Sequence, residues 1–223
     1  MLVISGKEVL TTLEELVTPK HSALLLIDLQ NDYIVPGGYT DKLGGNSSAV
    51  AQIIPRIKGV LEAARRNGVL VIHVQMTLFP NFVAESPACL RGRLLLTHYK
   101  GGEPFEKLPT RCIEGTRGWQ IVDELTPLPN EIVVKKQRTS AFMGTNMDTV
   151  LRSNGIKSVT IVGIATSGCV LATAIHATLL DYYPIVLRDC VAVGMPEPHN
   201  AALLVMSQYM DVLESEEVLK IWR

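Results

Sequence analysis

Short apolar segments alternate along this chain with stretches of helical periodicity. Each segment is rich in Val, Ile and Leu, as buried parallel strands are, and regular alternation with helices is typical of βαβ units. The pattern therefore predicts an α/β fold with a mostly parallel sheet. The predicted strands cover residues 22–28, 69–76, 131–136, 158–165, 184–189 and 211–215.

Two of the intervening stretches have clear helix signals. Residues 46–68 place apolar side chains at helical spacing after a polar start, so they predict one crossover helix that ends at Gly68. Pro55, in its first half, is expected to bend it. A second helix is predicted to begin at Thr145, where T-N-M-D resembles a capping box with Asp in place of Glu, and to end at the pair Asn154 and Gly155.

Composition excludes several classes of function. A chain of 223 residues with no linker-like tract predicts a single domain over 1–223. A net charge of −1, with acidic and basic residues interleaved, gives no electrostatic reason to bind nucleic acid or anionic membranes. No uncharged apolar run reaches the about 20 residues that span a bilayer, so we expect a cytoplasmic protein whose partners are small molecules or other protein chains.

The cysteines give no sign of a metal site or a disulfide framework. No two of them stand at C-x-x-C spacing, so reduced thiols are expected. They are Cys89, Cys112, Cys169 and Cys190.

Residues 77–117 interrupt the alternation. They are rich in Gly, Pro and charge and too long for an ordinary connection, and loops of this length often cover an active site. The alternative is a surface excursion with a short helix near Leu94. Basic residues of this segment that could meet an anionic substrate are Arg91, Arg93, His98 and Lys100.

Cys169 stands where a β-branched strand gives way, after Gly163, to an almost uncharged helix. The first N–H groups of a helix lack intrahelical partners and carry the positive end of its dipole, which favours a thiolate over a thiol. The alternative is a small buried hydrophobic residue, which describes most lone cysteines.

Ligands of open parallel α/β sheets bind beyond the carboxyl ends of the strands. Asp28 ends the first predicted strand, where a carboxylate after five apolar residues is costly unless it has a partner. Lys136 ends the third predicted strand, and Cys169 follows the fourth. For any one of them a structural role is the simpler interpretation, but an acid, an amine and a thiol together favour covalent catalysis by a base-activated nucleophile.

These residues carry a family resemblance. The motifs ALLLIDLQNDY, KQRTSAF, GIATSGCV and PIVLRDCVA, in this order between residues 22 and 218, resemble the isochorismatase-like hydrolase superfamily and its cysteine amidohydrolases. The resemblance implies a three-layer, doubly wound, mainly parallel sheet of six strands with helices on both faces. It also implies a catalytic triad of Asp28, Lys136 and Cys169; the family spacing, four residues before Ser140, selects Lys136 over Lys135.

The same resemblance implies a cis peptide bond between Ile164 and Ala165. The N–H groups of Ala165 and Cys169 would then form an oxyanion hole. Asp28 would take the thiol proton, Lys136 would stabilise the thiolate, and a thioester would form and be hydrolysed. The expected pocket walls are Gln30, Tyr33 and Phe142.

The substrate class follows from how the chain departs from other family branches. Nicotinamidases carry a zinc-binding D-x-H motif after the second strand, whereas His73 here has no Asp two residues before it, so neither zinc nor nicotinamide is expected. No other cofactor is predicted. His73 is interpreted as a strand residue with a satisfied ring. Isochorismatases proper lack the nucleophilic cysteine, so Cys169 favours hydrolysis of a small amide, ureido or carbamoyl compound. Similar branches are the ureidoacrylate amidohydrolases, N-carbamoylsarcosine amidases and biuret hydrolases.

Other functions are weighed against this one. The alternatives on the same scaffold are an isochorismatase-type hydrolase of another small substrate and a catalytically inactive binding protein. GIATSG fits a phosphate-binding loop, but Cys169 replaces the lysine that such a loop requires. A papain-like pair with His176 is disfavoured because seven helical residues separate the side chains by about 10 Å.

Hydropathy favours assembly into a homo-oligomer, either a dimer or a tetramer. The mean hydropathy of +0.23 is high for a monomer of this size. The predicted helix at 170–180 has no charged residue, so we expect it to be buried on several sides.

Overall fold

A computed structural model describes residues 1–97 and 110–223. Two short antiparallel strands form a hairpin at the N-terminus, which the sequence pattern does not predict. The other six strands form the main sheet. In chain order the strands are β1 (Leu2–Ile4), β2 (Lys7–Val9), β3 (Ser22–Ile27), β4 (Leu70–Met76), β5 (Ile132–Lys136), β6 (Ser158–Ile164), β7 (Tyr183–Ala192) and β8 (Asp211–Leu213).

The main sheet has the order β5-β4-β3-β6-β7-β8, and every neighbouring pair is parallel. All six predicted strands are therefore present, and the doubly wound α/β fold is confirmed. The chain runs outward from β3 to β5 and then returns to place β6 on the other side of β3. The resulting crevice lies beyond the carboxyl ends of β3 and β6, where open α/β sheets bind ligands.

Helices cover both faces of the sheet, and β3 shows how its side chains divide between them. Leu24 and Leu26 join one apolar cluster, while Ala23, Leu25 and Ile27 join the other. This alternation is the period-2 geometry of a strand buried on both faces. The helices are α1 (Leu13–Leu16), α2 (Asn31–Ile34), α3 (Tyr39–Lys42), α4 (Ser47–Ala51), α5 (Ile54–Arg66), α6 (Pro87–Leu96), α7 (Met147–Ser153), α8 (Leu171–Leu179), α9 (Pro196–Met206) and α10 (Ser215–Leu219).

The prediction of one continuous helix over 46–68 is wrong in its first half. The chain forms α4 and then α5, with Pro55 in the first turn of α5. Proline is well tolerated there because the first N–H groups of a helix have no intrahelical acceptor. Pro55 therefore begins a new helix instead of bending an existing one.

The start of α7 also differs from the prediction. The helix begins at Met147, and Thr145 accepts a hydrogen bond from the Met147 N–H at 3.2 Å instead of capping the third helical residue. Asp148 pairs with Arg152 at 2.9 Å and does not complete a capping box.

Two expectations concern membranes and assembly. Within the described ranges, no helix combines the length and the apolar character that crossing a bilayer requires. In α8, only Thr173, Ala174 and Ala177 are buried, and Leu179 is 75% exposed. Burial of this helix by a second copy of the chain stays a prediction.

Candidate active site

The side chains of Asp28, Lys136 and Cys169 meet beyond the carboxyl ends of the sheet. Lys136 Nζ lies 2.8 Å from Asp28 Oδ2 and 3.1 Å from Cys169 Sγ. Lys135 points away from this group: its ammonium pairs with Glu114 at 2.6 Å and is about half exposed. The alternation of side chains along β5 thus places Lys136, and not Lys135, in the site.

Asp28 is held in a fixed orientation by the strand next to it. The Met76 N–H donates to Asp28 Oδ1 at 2.9 Å, and the Asp28 N–H donates to the Val74 carbonyl at 2.9 Å. Asp28 has φ +52°, a left-handed conformation that costs a non-glycine residue of order 1–3 kcal/mol. This conformation turns the carboxylate out of the path of β3 and towards Lys136.

Lys136 is completely buried, and its ammonium has three neighbours. Besides Asp28 and Cys169, it donates to the Arg138 carbonyl at 3.1 Å. Burial alone lowers the pKa of Lys136, but the Asp28 carboxylate and the Cys169 sulfur more than offset that effect, so the pKa is raised. Lys136 therefore carries a positive charge at neutral pH.

Cys169 lies in the π-helical turn Thr166–Val170 that links β6 to α8. Burial, followed by the negative charge of Asp28 and a hydrogen bond to it, raises the pKa of Cys169 to about 12, although Lys136 opposes this shift. The resting side chain is a thiol at neutral pH. Burial and Asp28 thus outweigh the thiolate-favouring effect expected of the helix start, and the thiol keeps the proton that Asp28 is expected to take.

The turn before Cys169 has an unusual backbone. The peptide bond between Ile164 and Ala165 is cis, and the Val170 N–H donates to the Ala165 carbonyl at 3.2 Å. Thr166 is buried, and its hydroxyl lies 2.9 Å from Nδ1 of His199 on α9. His199 therefore ties this turn to a neighbouring helix, a contact that sequence reasoning missed.

A cavity of about 500 Å³ opens beside Cys169. Its size is in the range of small-molecule sites, and its walls are largely apolar. The wall includes Asp28, Cys169 and Ala165 from the site, together with Tyr33, Tyr39, Leu43, Val50, Met76, Leu96, Arg111, Ile164, Val193, Met195 and Pro198.

Of the three predicted pocket residues, Tyr33 lines this cavity as described, whereas Gln30 and Phe142 do not. Gln30 is fully buried, and its amide nitrogen donates to the Met76 and Trp119 carbonyls, at 2.9 and 2.7 Å. Phe142 packs against His176, with ring centroids 5.3 Å apart. The prediction of these two residues as pocket walls is wrong, since each has a structural contact elsewhere.

The described part of segment 77–117 contributes Leu96 and Arg111 to the cavity wall. The predicted basic contacts lie elsewhere. Arg91 is exposed, and Arg93 is buried over the Phe82 ring, 4.7 Å from its centroid. The other two, His98 and Lys100, lie outside the described residues.

Arg111 is a functional candidate that sequence reasoning missed. Its guanidinium donates to the Tyr39 hydroxyl at 2.9 Å and lies over the Tyr39 ring. The sequence holds no periodic signal for it, because it stands in an irregular loop. The only signal was its membership of a basic, overlong segment.

Two histidines have structural contacts. His73 is buried, with Nε2 2.9 Å from Glu131 Oε2, and burial lowers its pKa although Glu131 opposes the shift. His176 Nδ1 lies 2.9 Å from the Ser140 hydroxyl.

Among the residues that the structure describes, no group of three or more His, Cys, Asp or Glu side chains is arranged to hold a metal ion.

Comparisons with known proteins find one family and relatives with similar sequences and folds. A sequence model of the isochorismatase domain matches residues 22–217. The ureidoacrylate amidohydrolase RutB of Caulobacter segnis is 39% identical over 185 residues, which cover 81% of this chain and 76% of the relative.

Solved structures agree with the sequence match. An isochorismatase-like hydrolase from Alkaliphilus metalliredigens has a TM-score of 0.74 and 25% identity, over 91% of this chain and 100% of that one. The N-carbamoylsarcosine amidase of Thermoplasma acidophilum has a TM-score of 0.67 and 26% identity, over 88% of this chain and 97% of that one.

Proposed function

Because the chain belongs to the isochorismatase family, we propose that it is a cysteine hydrolase that cleaves a non-peptide C–N bond of a small molecule through a thioester-type intermediate. The observation that carries the proposal is the contact of Lys136 Nζ with both Asp28 Oδ2 and Cys169 Sγ, at 2.8 and 3.1 Å. These three groups stand at a cavity large enough for a small substrate. An acid, a cation and a thiol in contact are the parts that a base-activated nucleophile requires.

The first half of the reaction forms the S-acyl enzyme. Asp28 removes the proton from the Cys169 thiol as the sulfur attacks the substrate carbonyl, and Lys136 stabilises the negative charge as it moves. Asp28 suits this role because its carboxylate and the Cys169 sulfur both lie beside Lys136 Nζ, at 2.8 and 3.1 Å. Delaying deprotonation until the attack keeps the resting sulfur a thiol, which is less reactive towards oxidants than a thiolate.

The tetrahedral oxyanion is stabilised by the backbone N–H groups of Ala165 and Cys169, on either side of the turn after the cis peptide bond. Asp28 then returns its proton to the leaving nitrogen, so the C–N bond breaks and an amine or ammonia departs. Water, deprotonated by the same carboxylate, attacks the S-acyl carbon, and the C–S bond breaks to restore the thiol. The products are the departed amine or ammonia and a carboxylic or carbamic acid; a carbamic acid decomposes to carbon dioxide and ammonia, or to carbon dioxide and an amine where its nitrogen is substituted.

An amide, ureido or carbamoyl group is the substrate feature that we propose. The relatives named above are a ureidoacrylate amidohydrolase and an N-carbamoylsarcosine amidase, and both names specify a carbonyl bonded to nitrogen. A cavity of about 500 Å³ accommodates such compounds.

A screen for ammonia release tests the proposal. The panel is 3-ureidoacrylate, N-carbamoyl amino acids, biuret and simple amides, each assayed with the wild-type protein and with Cys169→Ala. We expect turnover of at least one ureido or carbamoyl compound and a loss of about 1,000-fold or more in the variant. Mass spectrometry of the quenched wild-type reaction should show the acyl adduct on the tryptic peptide that contains Cys169.

Cys190→Ala is the matched control, because Cys190 is buried in the core away from the cavity. It should retain turnover within a few-fold. Full activity in Cys169→Ala, or an adduct on another residue, would contradict the nucleophile assignment.

A further inference from the structure

The charges of the described residues that line the cavity do not balance. Among its described wall residues, Asp28 and Arg111 are the two that carry full charges at neutral pH. Asp28 already forms an ion pair with the buried Lys136 at 2.8 Å. Among the described wall residues, Arg111 therefore leaves one net positive charge before substrate binds.

The only hydrogen bond of the Arg111 guanidinium within residues 1–97 and 110–223 goes to the Tyr39 hydroxyl, at 2.9 Å. No carboxylate of those residues lies within salt-bridge distance of it. A guanidinium has five N–H donors, and a cation in largely apolar surroundings costs free energy unless an anion pairs with it. Its planar fork matches a carboxylate in bidentate geometry.

Residues next to Arg111 fix its position. Cys112 is buried with φ +50°, and its N–H donates to Asp32 Oδ2 at 2.6 Å. Its carbonyl accepts a hydrogen bond from the Leu78 N–H at 2.9 Å. The left-handed turn at Cys112 is thus anchored on both sides, which fixes the backbone next to Arg111, and the contact with Tyr39 holds the Arg111 side chain at the cavity wall.

Gly118 supports the same anchor. A Cβ at this position would lie 2.3 Å from Asp32 Oδ1, so only glycine leaves room for the carboxylate that holds Cys112. The Asp32 N–H also donates to the Gly118 carbonyl at 2.9 Å. An immobile cation binds an anion without the entropy cost of ordering a long side chain.

We propose that Arg111 binds a carboxylate on the substrate whose C–N bond Cys169 attacks, which makes the substrate class a small ureido or carbamoyl acid. This inference rests on the proposed function and narrows its substrate. Tyr39 orients the guanidinium by accepting one of its hydrogen bonds, and the remaining N–H groups face the carboxylate. Neutral ureas and amides of the same shape are then poor substrates, because they leave the Arg111 charge unpaired.

The test compares two ureas that differ in charge but hardly in shape, 3-ureidopropionate and N-(3-methylbutyl)urea. Wild-type, Arg111→Gln, Arg111→Lys and Arg117→Gln proteins are assayed with both. For the acid, we expect kcat/KM to fall about 100-fold in Arg111→Gln and about tenfold in Arg111→Lys, which keeps the charge but loses the fork. For the neutral urea, kcat/KM should stay within threefold of wild type.

Arg117→Gln is the matched control, because Arg117 is an exposed residue of the same loop. It should change neither substrate by more than about twofold, since an exposed charge is screened by solvent. Equal losses for both ureas in Arg111→Gln, or an acid preference that survives in it, would overturn the inference.

Failure of the proposed function gives a different result. If the wild-type protein hydrolyses no ureido or carbamoyl compound, the reaction is wrong, and calorimetric binding of 3-ureidopropionate to Cys169→Ala protein still tests Arg111. We expect Arg111→Gln to weaken that binding about 100-fold in the Cys169→Ala background. Unchanged or absent binding there would overturn the role of Arg111.

Discussion

The two ends of the parallel sheet each carry a largely buried cluster that contains an acid, a cation and a third titratable group. At the carboxyl ends the cluster is Asp28, Lys136 and Cys169, and near the amino ends of β4 and β5 it is Glu131, Arg65 and His73. Both clusters border a cavity, of about 500 and about 420 Å³ respectively. Cavity size and buried charge therefore do not distinguish them.

The amino-end cluster is saturated with hydrogen bonds. Glu131 accepts two from Arg65, at 2.7 and 2.9 Å, one from the Leu128 N–H at 2.8 Å, and lies 2.9 Å from His73 Nε2. Although burial opposes it, this pairing lowers the pKa of Glu131 to about 2. A carboxylate so fully paired has no lone pair left for a substrate, which indicates a structural role.

The carboxyl-end cluster is incomplete by comparison. Asp28 Oδ1 accepts the Met76 N–H, while Oδ2 has the Lys136 ammonium beside it and stays accessible to the Cys169 thiol. The thiol keeps a proton that Asp28 can take. What separates a reactive cluster from a structural one in this fold is therefore the completeness of its hydrogen bonding, and substitutions at the two ends should show it.

Asp28→Asn should have the largest effect on turnover. The amide keeps the Met76 contact but cannot accept the thiol proton, so kcat should fall about 1,000-fold, the contribution of a general base. The rate of ammonia release from the best substrate of the panel measures this. Glu131→Gln is the matched substitution at the other end and should retain turnover within about threefold.

Iodoacetamide labelling shows whether Asp28→Asn loses turnover because the general base is gone or because the site is disrupted. The charge of Asp28 raises the pKa of Cys169 and that of Lys136 lowers it, so removing Asp28 leaves the lysine to favour thiolate. We expect labelling of Cys169 at pH 8 to be about tenfold faster in Asp28→Asn than in wild type, although turnover is lost. Slower labelling would show that Asp28 does not disfavour the thiolate.

The two ends of the sheet should also differ in how much stability is lost when a glycine is replaced by alanine. Gly163, near the end of β6, has φ +119°, and a Cβ there would lie 2.2 Å from the Ile27 carbonyl oxygen of β3. Gly163→Ala should cost about 3 kcal/mol or more, because it pushes apart the strands that position Asp28 and Cys169.

Gly68 before β4 is the control for backbone strain alone. It has φ +68°, and a Cβ there would meet nothing within 4 Å, so Gly68→Ala should cost about 1 kcal/mol. Urea unfolding monitored by circular dichroism compares the variants. Equal costs at the two positions would show that the β3–β6 crevice has room to adjust.

Sequence reasoning succeeded where local pattern and a fold rule were enough. The apolar runs predicted all six strands of the sheet, and the rule that carboxyl ends of parallel strands share an edge brought Asp28 and Lys136 together with Cys169. The family resemblance gave the choice of Lys136 over Lys135, which agrees with the side-chain alternation of β5.

Sequence reasoning failed where contacts between distant parts of the chain decide where a side chain lies. Gln30 follows the strand end as a pocket residue would, but the Met76 and Trp119 carbonyls bury its amide. Arg111 reaches the cavity because Asp32, 80 positions away in the sequence, holds the neighbouring Cys112 N–H. No periodicity in the sequence encodes such a contact.

Glu131→Gln should lower the stability of the protein and leave its turnover nearly unchanged. A carboxyl with a pKa of about 2 when folded and 4.5 when unfolded contributes stability above pH 4.5, and loses it as the pH falls towards 2. Because Arg65 is partly exposed to solvent, we expect the variant to be less stable by about 2 kcal/mol at pH 7.

The difference between wild type and Glu131→Gln should shrink between pH 4.5 and about 2, because protonation neutralises the wild-type side chain as well. Urea unfolding at a series of pH values measures it. Glu114→Gln, which removes an exposed ion pair with Lys135, should cost about 0.5 kcal/mol or less at any pH. A Glu131 variant that is as stable as this control, or that loses turnover, would mean that the saturated cluster is not purely structural and that hydrogen-bond completeness does not separate the two ends.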